Sequence, residues 1–186
     1  MSMNRNCHII VYSITPKMLD LRPLHVAVAA NGLVMLRYGI TKASFRKCLQ
    51  NKFSNHKISV QTRTHIVIRQ IREYLQGTRK QFLLDLDLLH CSPFQRLVLD
   101  EVMRIPYGET TTYGAIAKSI GNPKASRAIG GALAHNPLPI VVPCHRVICS
   151  NGSIGGYLGS PQHNTKIHLL KLEGIYADKY KITAKR

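Results

Sequence analysis

Cys144 and His145 stand side by side, delivered by the apolar run Ile140-Val141-Val142 and fixed on entry by Pro143. A thiol attacks as its thiolate. Free cysteine is only a few per cent ionised at neutral pH, so a neighbouring base is what turns it into a nucleophile. An acid that orients the imidazole completes such a set. Glu173 is a candidate, since no Asp or Glu lies between Glu109 and it, with a surface charge on the C-terminal helix as the equal alternative on the residues alone. In an extended segment, adjacent side chains point to opposite sides. A bridging water or a turn must therefore connect Cys144 to His145. Cys149 is the competing thiol and is assigned to core packing.

The elements around these residues are legible. Ser92-Pro93-Phe94-Gln95 predicts a capped helix, with Gln95 completing a capping box, that runs to Met103 or Arg104 before Pro106-Tyr107-Gly108 breaks it. Thr112 caps a helix over residues 113–120, Gly121 stops it and Asn122-Pro123 turns the chain. A second helix over 124–135 ends at Asn136-Pro137. Two short helices on a tight turn read as a helix-turn-helix, whose second helix meets DNA. That second helix carries Ser126, Arg127, Ala128, Gly130 and Gly131. Two adjacent glycines weaken a helix by about 1 kcal/mol each. Close packing against the Pro143-Cys144 segment would account for them. The small residues near Arg127 suit shape and phosphate contact rather than base reading, with Arg127 as the probe that enters the duplex. An Asn151-Gly152 turn, a glycine-rich loop over 155–159 and a last helix opened by Ser160-Pro161 complete this half. Ile167, Leu170 and Leu172 supply that helix's apolar contacts.

The first half predicts a strand over 7–14, then two strands, 24–30 and 33–38, joined by Asn31-Gly32. That dipeptide suits the positive φ angles of a two-residue hairpin. A basic helix over 41–49, an amphipathic helix over 64–76 stopped by Gly77, and a strand over 81–88 follow. Cys7, His8 and His25 lack the close paired spacing of structural zinc sites, so no metal is expected. This half reads as a scaffold.

The 186 residues fit one large or two small domains, with 45% hydrophobic and 19% charged residues typical of a folded chain. The net charge of +17 is not typical, and it makes nucleic acid the first partner to consider and an anionic membrane the second. Five scattered cysteines are no disulfide framework and point to a reducing compartment. No apolar run approaches the roughly 18 residues of a spanning helix, and the N-terminal apolar stretch reads as a strand rather than a signal peptide. The expectation is a cytoplasmic protein, or a nuclear one if eukaryotic, with no membrane partner.

Pro143-Cys144-His145-Arg146-Val147 resembles the signature of the O6-alkylguanine-DNA alkyltransferases, a DNA repair family. So do Tyr107-Gly108-Glu109, Tyr113, Gly121-Asn122-Pro123, Arg127 to Ala132, Asn136-Pro137 and Gly155 to Gly159. The resemblance covers Ser92 to Gly174. It implies that Cys144 takes the alkyl group in one irreversible displacement, with His145 as base through a water, Glu173 holding the imidazole and Asn136 bracing the turn beneath. It further implies a DNA-binding set of Tyr113, Ser126, Arg127, Ala128 and Gly130, with Tyr113 on the target phosphate and base. The guanine pocket would comprise Leu133, Pro139, Val147, Tyr157, Leu158 and Gly159, although Leu158 stands where a small polar residue is usual. Ala30 and Met35 occupy two positions where some members bind zinc, so neither a metal nor any other cofactor is implied.

The expected fold is therefore a ribonuclease-H-like α/β domain over 1–88 and a mainly α domain over 89–176 with a helix-turn-helix and a short β hairpin. A loose basic tail over 177–186 follows. The expected partner of this monomer is duplex DNA carrying O6-alkylguanine, with the choice between guanine and O4-alkylthymine adducts left open. A pure helix-turn-helix regulator leaves Cys144, His145 and Glu173 unexplained. A Cys-His hydrolase leaves the basic helix pair unexplained, and a binding-only relative would lack the cysteine.

Overall fold

The computed structural model describes residues 8–14, 23–61, 65–161, 164–176 and 181–182. The chain forms two compact units, Met1–Leu88 and Leu89–Arg186. Among the described residues no helix is long and apolar enough to cross a membrane.

The first unit is a four-stranded sheet with helices. Strands β1 (His8–Ile14), β2 (Leu24–Ala29) and β3 (Gly32–Tyr38) are antiparallel neighbours, and β4 (Lys57–Val60) joins the other side of β1 in parallel. Sequence patterning missed β4, which is short and only half-buried. Cys7, the expected start of the first strand, lies outside the described residues. Helix α1 (Lys42–Lys52), capped by Thr41, buries Phe45 and Leu49 against Ile9, Val11, Ala27, Val34 and Met35. That apolar contact is what holds a helix so rich in lysine and arginine. Helix α2 (Ile66–Leu75) begins after a His65 cap and buries Ile68, Ile71 and Leu75, as its spacing predicts; Thr64 lies outside the described residues.

Two expectations for this unit are corrected. Only Gly32 takes a positive φ at the β2–β3 turn, so Asn31 does not supply one. Glycine is required there by a close approach: a Cβ would lie 2.2 Å from the Asp85 carbonyl oxygen. The expected strand over 81–88 is a single bridge between Leu86 and Leu33. Its backbone is claimed elsewhere, because the Gln70 side chain bonds both the N–H and the carbonyl of Leu83 at 2.8 and 3.0 Å. His25, weighed above as a metal ligand, is a satisfied core residue, with Nδ1 against Ser13 Oγ and Nε2 against the Ile40 carbonyl. Among the described residues no cluster of three His, Cys, Asp or Glu could hold a metal ion.

In the second unit, α3 (Pro93–Met103), α4 (Tyr113–Ser119) and α5 (Ser126–Ala134) pack together, each close to its predicted span. Ser92 caps α3, but the capping box is only half formed, since Gln95 reaches instead to the Ala132 and His135 carbonyls at the end of α5. The short hairpin is corrected to a parallel pair, β5 (Thr111–Thr112) with β6 (Val147–Ile148). The Asn151-Gly152 turn is present, but Ser153 beyond it pairs with Lys181. Helix α6 (Asn164–Leu172) places Ile167 and Leu170 in a small core with Ile154 and Ile175, while Leu172 is only half-buried. Ile182 packs on that core and donates its N–H to the Gly152 carbonyl, so this part of the expected loose tail is anchored. Residues 177–180 and 183–186 lie outside the described residues.

Gly32→Ala is expected to cost about 1–3 kcal/mol of stability, as overpacking does. A lowered urea midpoint with an unchanged slope checks this.

Candidate active site

Cys144, His145 and Arg146 form one turn of 3-10 helix, so of the two alternatives left open above a turn is present. At about three residues per turn, successive side chains leave the turn in well-separated directions. Cys144 points toward Asn136 and a cleft, while His145 and Arg146 turn toward Glu173.

The segment leading to the turn is held by Asn136. Its Oδ1 accepts the Leu138 N–H at 2.9 Å, and its Nδ2 donates to the Val142 carbonyl at 3.0 Å and to Cys144 Sγ at 3.1 Å. Between these anchors, fully buried Ile140 has φ 75°. A β-branched residue adopts that angle only when its surroundings impose it.

Glu173 follows α6 directly, and its side chain is fully buried. His145 Nε2 lies 2.8 Å from Oε1, and Arg146 donates from Nε and Nη2. The Gly108 N–H donates to Oε2 at 3.0 Å. Burial by itself raises the pKa of Glu173. The hydrogen bonds and charges of His145 and Arg146 outweigh it and bring the value from 4.5 down to about 2. Burial pushes His145 down, with Glu173 opposing, so the imidazole is a neutral base at pH 7. Nε2–H donating to the carboxylate leaves the lone pair on Nδ1. Burial pushes the Cys144 thiol up, against the pull of Asn136, Lys166 and Tyr157. Such a thiol needs a base.

Cys144 is only 4% exposed, yet it lines a cleft of about 430 Å³. Tyr113 contributes from α4, Gly130, Leu133 and Ala134 from α5, and residues 156–161 form the opposite wall. Of the residues singled out in the sequence, Tyr113, Gly130, Leu133, Cys144, Tyr157, Leu158 and Gly159 therefore meet around one space. Val147 and Pro139 do not, which corrects their assignment to the pocket. Val147 is fully buried in β6 and Pro139 is buried beside a bridge to Val142. Arg127 and Ala128 are exposed on α5 and Ser126 is half-buried. The packing explanation for Gly130-Gly131 also falls, since a Cβ at either would meet nothing within 4 Å. Cys149 is half-buried rather than core, with its sulfur 3.2 Å from the position a Gly155 Cβ would occupy.

The sequence model described as "6-O-methylguanine DNA methyltransferase, DNA binding domain" matches residues 93–175. The crystal structure of Mycobacterium tuberculosis O6-methylguanine methyltransferase is 34% identical, with a TM-score of 0.71 over 89% of this chain and 92% of that one. This chain belongs to the O6-methylguanine methyltransferase family. A structure of Mycobacterium tuberculosis OGT in complex with DNA matches with the same values. The methylated-DNA–protein-cysteine methyltransferase of Methanosarcina acetivorans is 51% identical over 107 residues, 57% of this chain and 66% of that relative. The matched stretch thus spans just under two thirds of the relative's length.

Two site residues of this family member were not given roles from sequence. Arg146 pairs with Glu173 and also donates to the Ile105 carbonyl at 2.6 Å. Lys166 is fully buried, and its Nζ donates to the Val147 and Ile154 carbonyls at 2.6 Å each. Burial lowers its pKa to about 8, partly opposed by attraction to Cys144 and Cys149. The signal was present: Lys166, Leu169, Leu170 and Glu173 fall on one helix face at the i, i+3, i+4, i+7 spacing of a buried stripe.

Glu173→Gln leaves Arg146 buried without its counter-charge and is expected to cost about 3–5 kcal/mol near pH 7. The carboxylate's pKa is lower in the folded state, so its stabilisation is present above about pH 4.5 and lost as pH falls toward 2. Urea denaturation from about pH 7 to pH 2 should show that acid limb in the native protein and not in the variant.

Proposed function

We propose that this protein repairs DNA by moving the alkyl group of O6-alkylguanine in a duplex onto Cys144, once per molecule. The observation that carries this reading is a buried Cys144 opening onto a cleft, with a Glu173-held neutral imidazole next to it in the chain. His145 Nδ1 takes the Cys144 proton through a water, and the Asn136 amide stabilises the thiolate. The sulfur attacks the alkyl carbon; the S–C bond forms as the C–O6 bond breaks, and the guanine oxygen keeps the electron pair. The product is a thioether, which has no proton to lose and no route back to thiolate, so turnover ends. No cofactor enters any step.

The base must leave the stack to reach Cys144, which costs a few kcal/mol and least at a poorly paired lesion. Helices α4 and α5, joined by the tight turn at Gly121, act as a helix-turn-helix with α5 against the minor groove. Exposed Arg127 fills the space the base vacates. Ser126, Ala128 and Gly130 allow close backbone approach, which the open space above Gly130 and Gly131 supports. Tyr113 contacts the target phosphate and base at the cleft. Leu133, Tyr157, Leu158 and Gly159 hold the guanine. The first unit is a ribonuclease-H-like scaffold, a reading supported by three antiparallel strands continued by a parallel fourth. The protein acts as a monomer in the cytoplasm, or in the nucleus if eukaryotic, where thiols stay reduced.

One equivalent of duplex carrying O6-methylguanine should add one methylene to the intact mass, on the Cys144 peptide and stopping at one per protein. Tight DNA binding with no gain in mass would leave a lesion-binding protein instead. His145→Ala should slow transfer by about 10²- to 10⁴-fold at neutral pH, the usual worth of a general base. Raising the pH toward the thiol's own pKa should narrow that gap in single-turnover assays. Arg127→Ala should slow transfer from a duplex more than transfer from a free O6-alkylated base, which needs no flipping; equal effects would remove Arg127 from the flipping role.

A further inference from the structure

The cleft wall facing α5 ends in a tight two-residue turn. The Tyr157 N–H donates to the Ser160 carbonyl at 2.9 Å, and the Ser160 N–H returns the bond to Tyr157 at 3.0 Å. Both residues between them have positive φ, 49° at Leu158 and 79° at Gly159. A turn of this type selects Asn, Asp or Gly at its centre, because the Cβ of other residues crowds the following carbonyl. Gly159 meets that demand and Leu158 does not. Among the described residues the one other non-glycine with positive φ is Ile140, which is fully buried. Leu158 instead is half-exposed and lines the cleft that holds Cys144.

The turn has little freedom to relocate and relieve the strain. A Cβ on Gly156 would lie 2.8 Å from the Ser160 carbonyl oxygen, so the backbone on the two sides of the turn is in close contact. Behind it, buried Lys166 grips the Ile154 carbonyl at 2.6 Å and reaches the Gly156 carbonyl at 3.5 Å. The Leu158 side chain is thus held at the cleft by a fixed frame, at a position whose backbone favours a different residue. What leucine adds there is apolar surface, continuous in kind with Leu133, Ala134 and Pro161 around the same space.

We propose that Leu158 is a specificity-determining residue that favours transfer of longer apolar alkyl groups over methyl. This rests on the alkyl-transfer reading above. In the displacement, the attacked carbon sits at the Cys144 sulfur. A methyl group has no atoms beyond that carbon. A butyl group carries three more, which must lie in the cleft, and an apolar wall lowers the energy of that arrangement in the transition state. The transfer step is the same for both substrates. Only the contact made by the rest of the chain differs, so the effect reads as a ratio of rate constants.

The test compares the native protein with Leu158→Asn and Leu158→Gly, using duplexes that carry O6-methylguanine or O6-butylguanine. Second-order rate constants for transfer and thermal midpoints are both measured. In both variants the midpoint should rise, because the strain at this turn is relieved. The butyl-to-methyl rate ratio should fall about tenfold, the scale on which added methylenes are distinguished in an apolar pocket. An unchanged or increased ratio in both variants overturns the proposal, as does a fall in both midpoints. Failure of the native protein to accept either group overturns the alkyl-transfer reading itself, and is distinguishable because the native ratio then does not exist.

Discussion

A carboxylate buried as completely as Glu173 costs several kcal/mol unless it is neutralised and its lone pairs are filled. Here Arg146 supplies the counter-charge, and His145 and the Gly108 N–H supply further donors. These partners come from two separate stretches of the chain, the turn after α3 and the 3-10 turn, and Glu173 itself from a third, the end of α6. Meeting at one carboxylate fixes each relative to the others. Tyr107 belongs to the same assembly, donating from its hydroxyl to the Leu172 carbonyl at 2.8 Å with the Arg146 guanidinium over its ring. The result is an imidazole with one tautomer and one orientation, and a cysteine positioned by being covalently next to it.

Asn136 and Lys166 repeat this device on either side of Cys144. Each is a buried polar group hydrogen-bonded to two or more backbone groups, Asn136 also to Cys144 Sγ, and each gives strained or irregular chain a rigid support. Asn136 spans the approach that contains Ile140, and Lys166 ties α6 to the strand after Cys144 and to the loop that becomes the cleft wall. Irregular backbone is what brings a side chain close to a cleft. Buried polar side chains are what make such backbone affordable in a unit of this size. They also set the electrostatics at the sulfur, where burial opposes ionisation and the amide and ammonium favour it.

Much of the second unit is legible in the sequence. Ser92, Thr112, Gly121 and Asn136-Pro137 mark helix starts and stops by local backbone chemistry, which depends on few neighbours. The first unit was less legible. The segment over 81–88 has the composition of a strand, but the Gln70 amide takes the Leu83 backbone groups a ladder would need. β4 is paired to β1 across nearly fifty residues of sequence, a separation that local patterning does not register. Adjacent glycines such as Gly130-Gly131 usually signal close approach, whereas here a Cβ at either position would meet nothing within 4 Å, a fact of three dimensions.

The sequence by itself determined the chemistry available: a cysteine beside a histidine after an apolar run and a proline, an acid at the end of a helix, and a basic chain with a pair of short helices on a tight turn. Residue identity and local spacing carry that information, because capping, turn and nucleophile preferences are set by the residues themselves. The tertiary structure alone decided that Cys144 and His145 lie on a 3-10 turn, that Arg146 rather than His145 neutralises Glu173, and that Val147 faces the core while Leu158 faces the cleft. Those outcomes depend on which distant groups share a buried volume, where the low dielectric makes each unpaired charge or amide costly enough to select one arrangement.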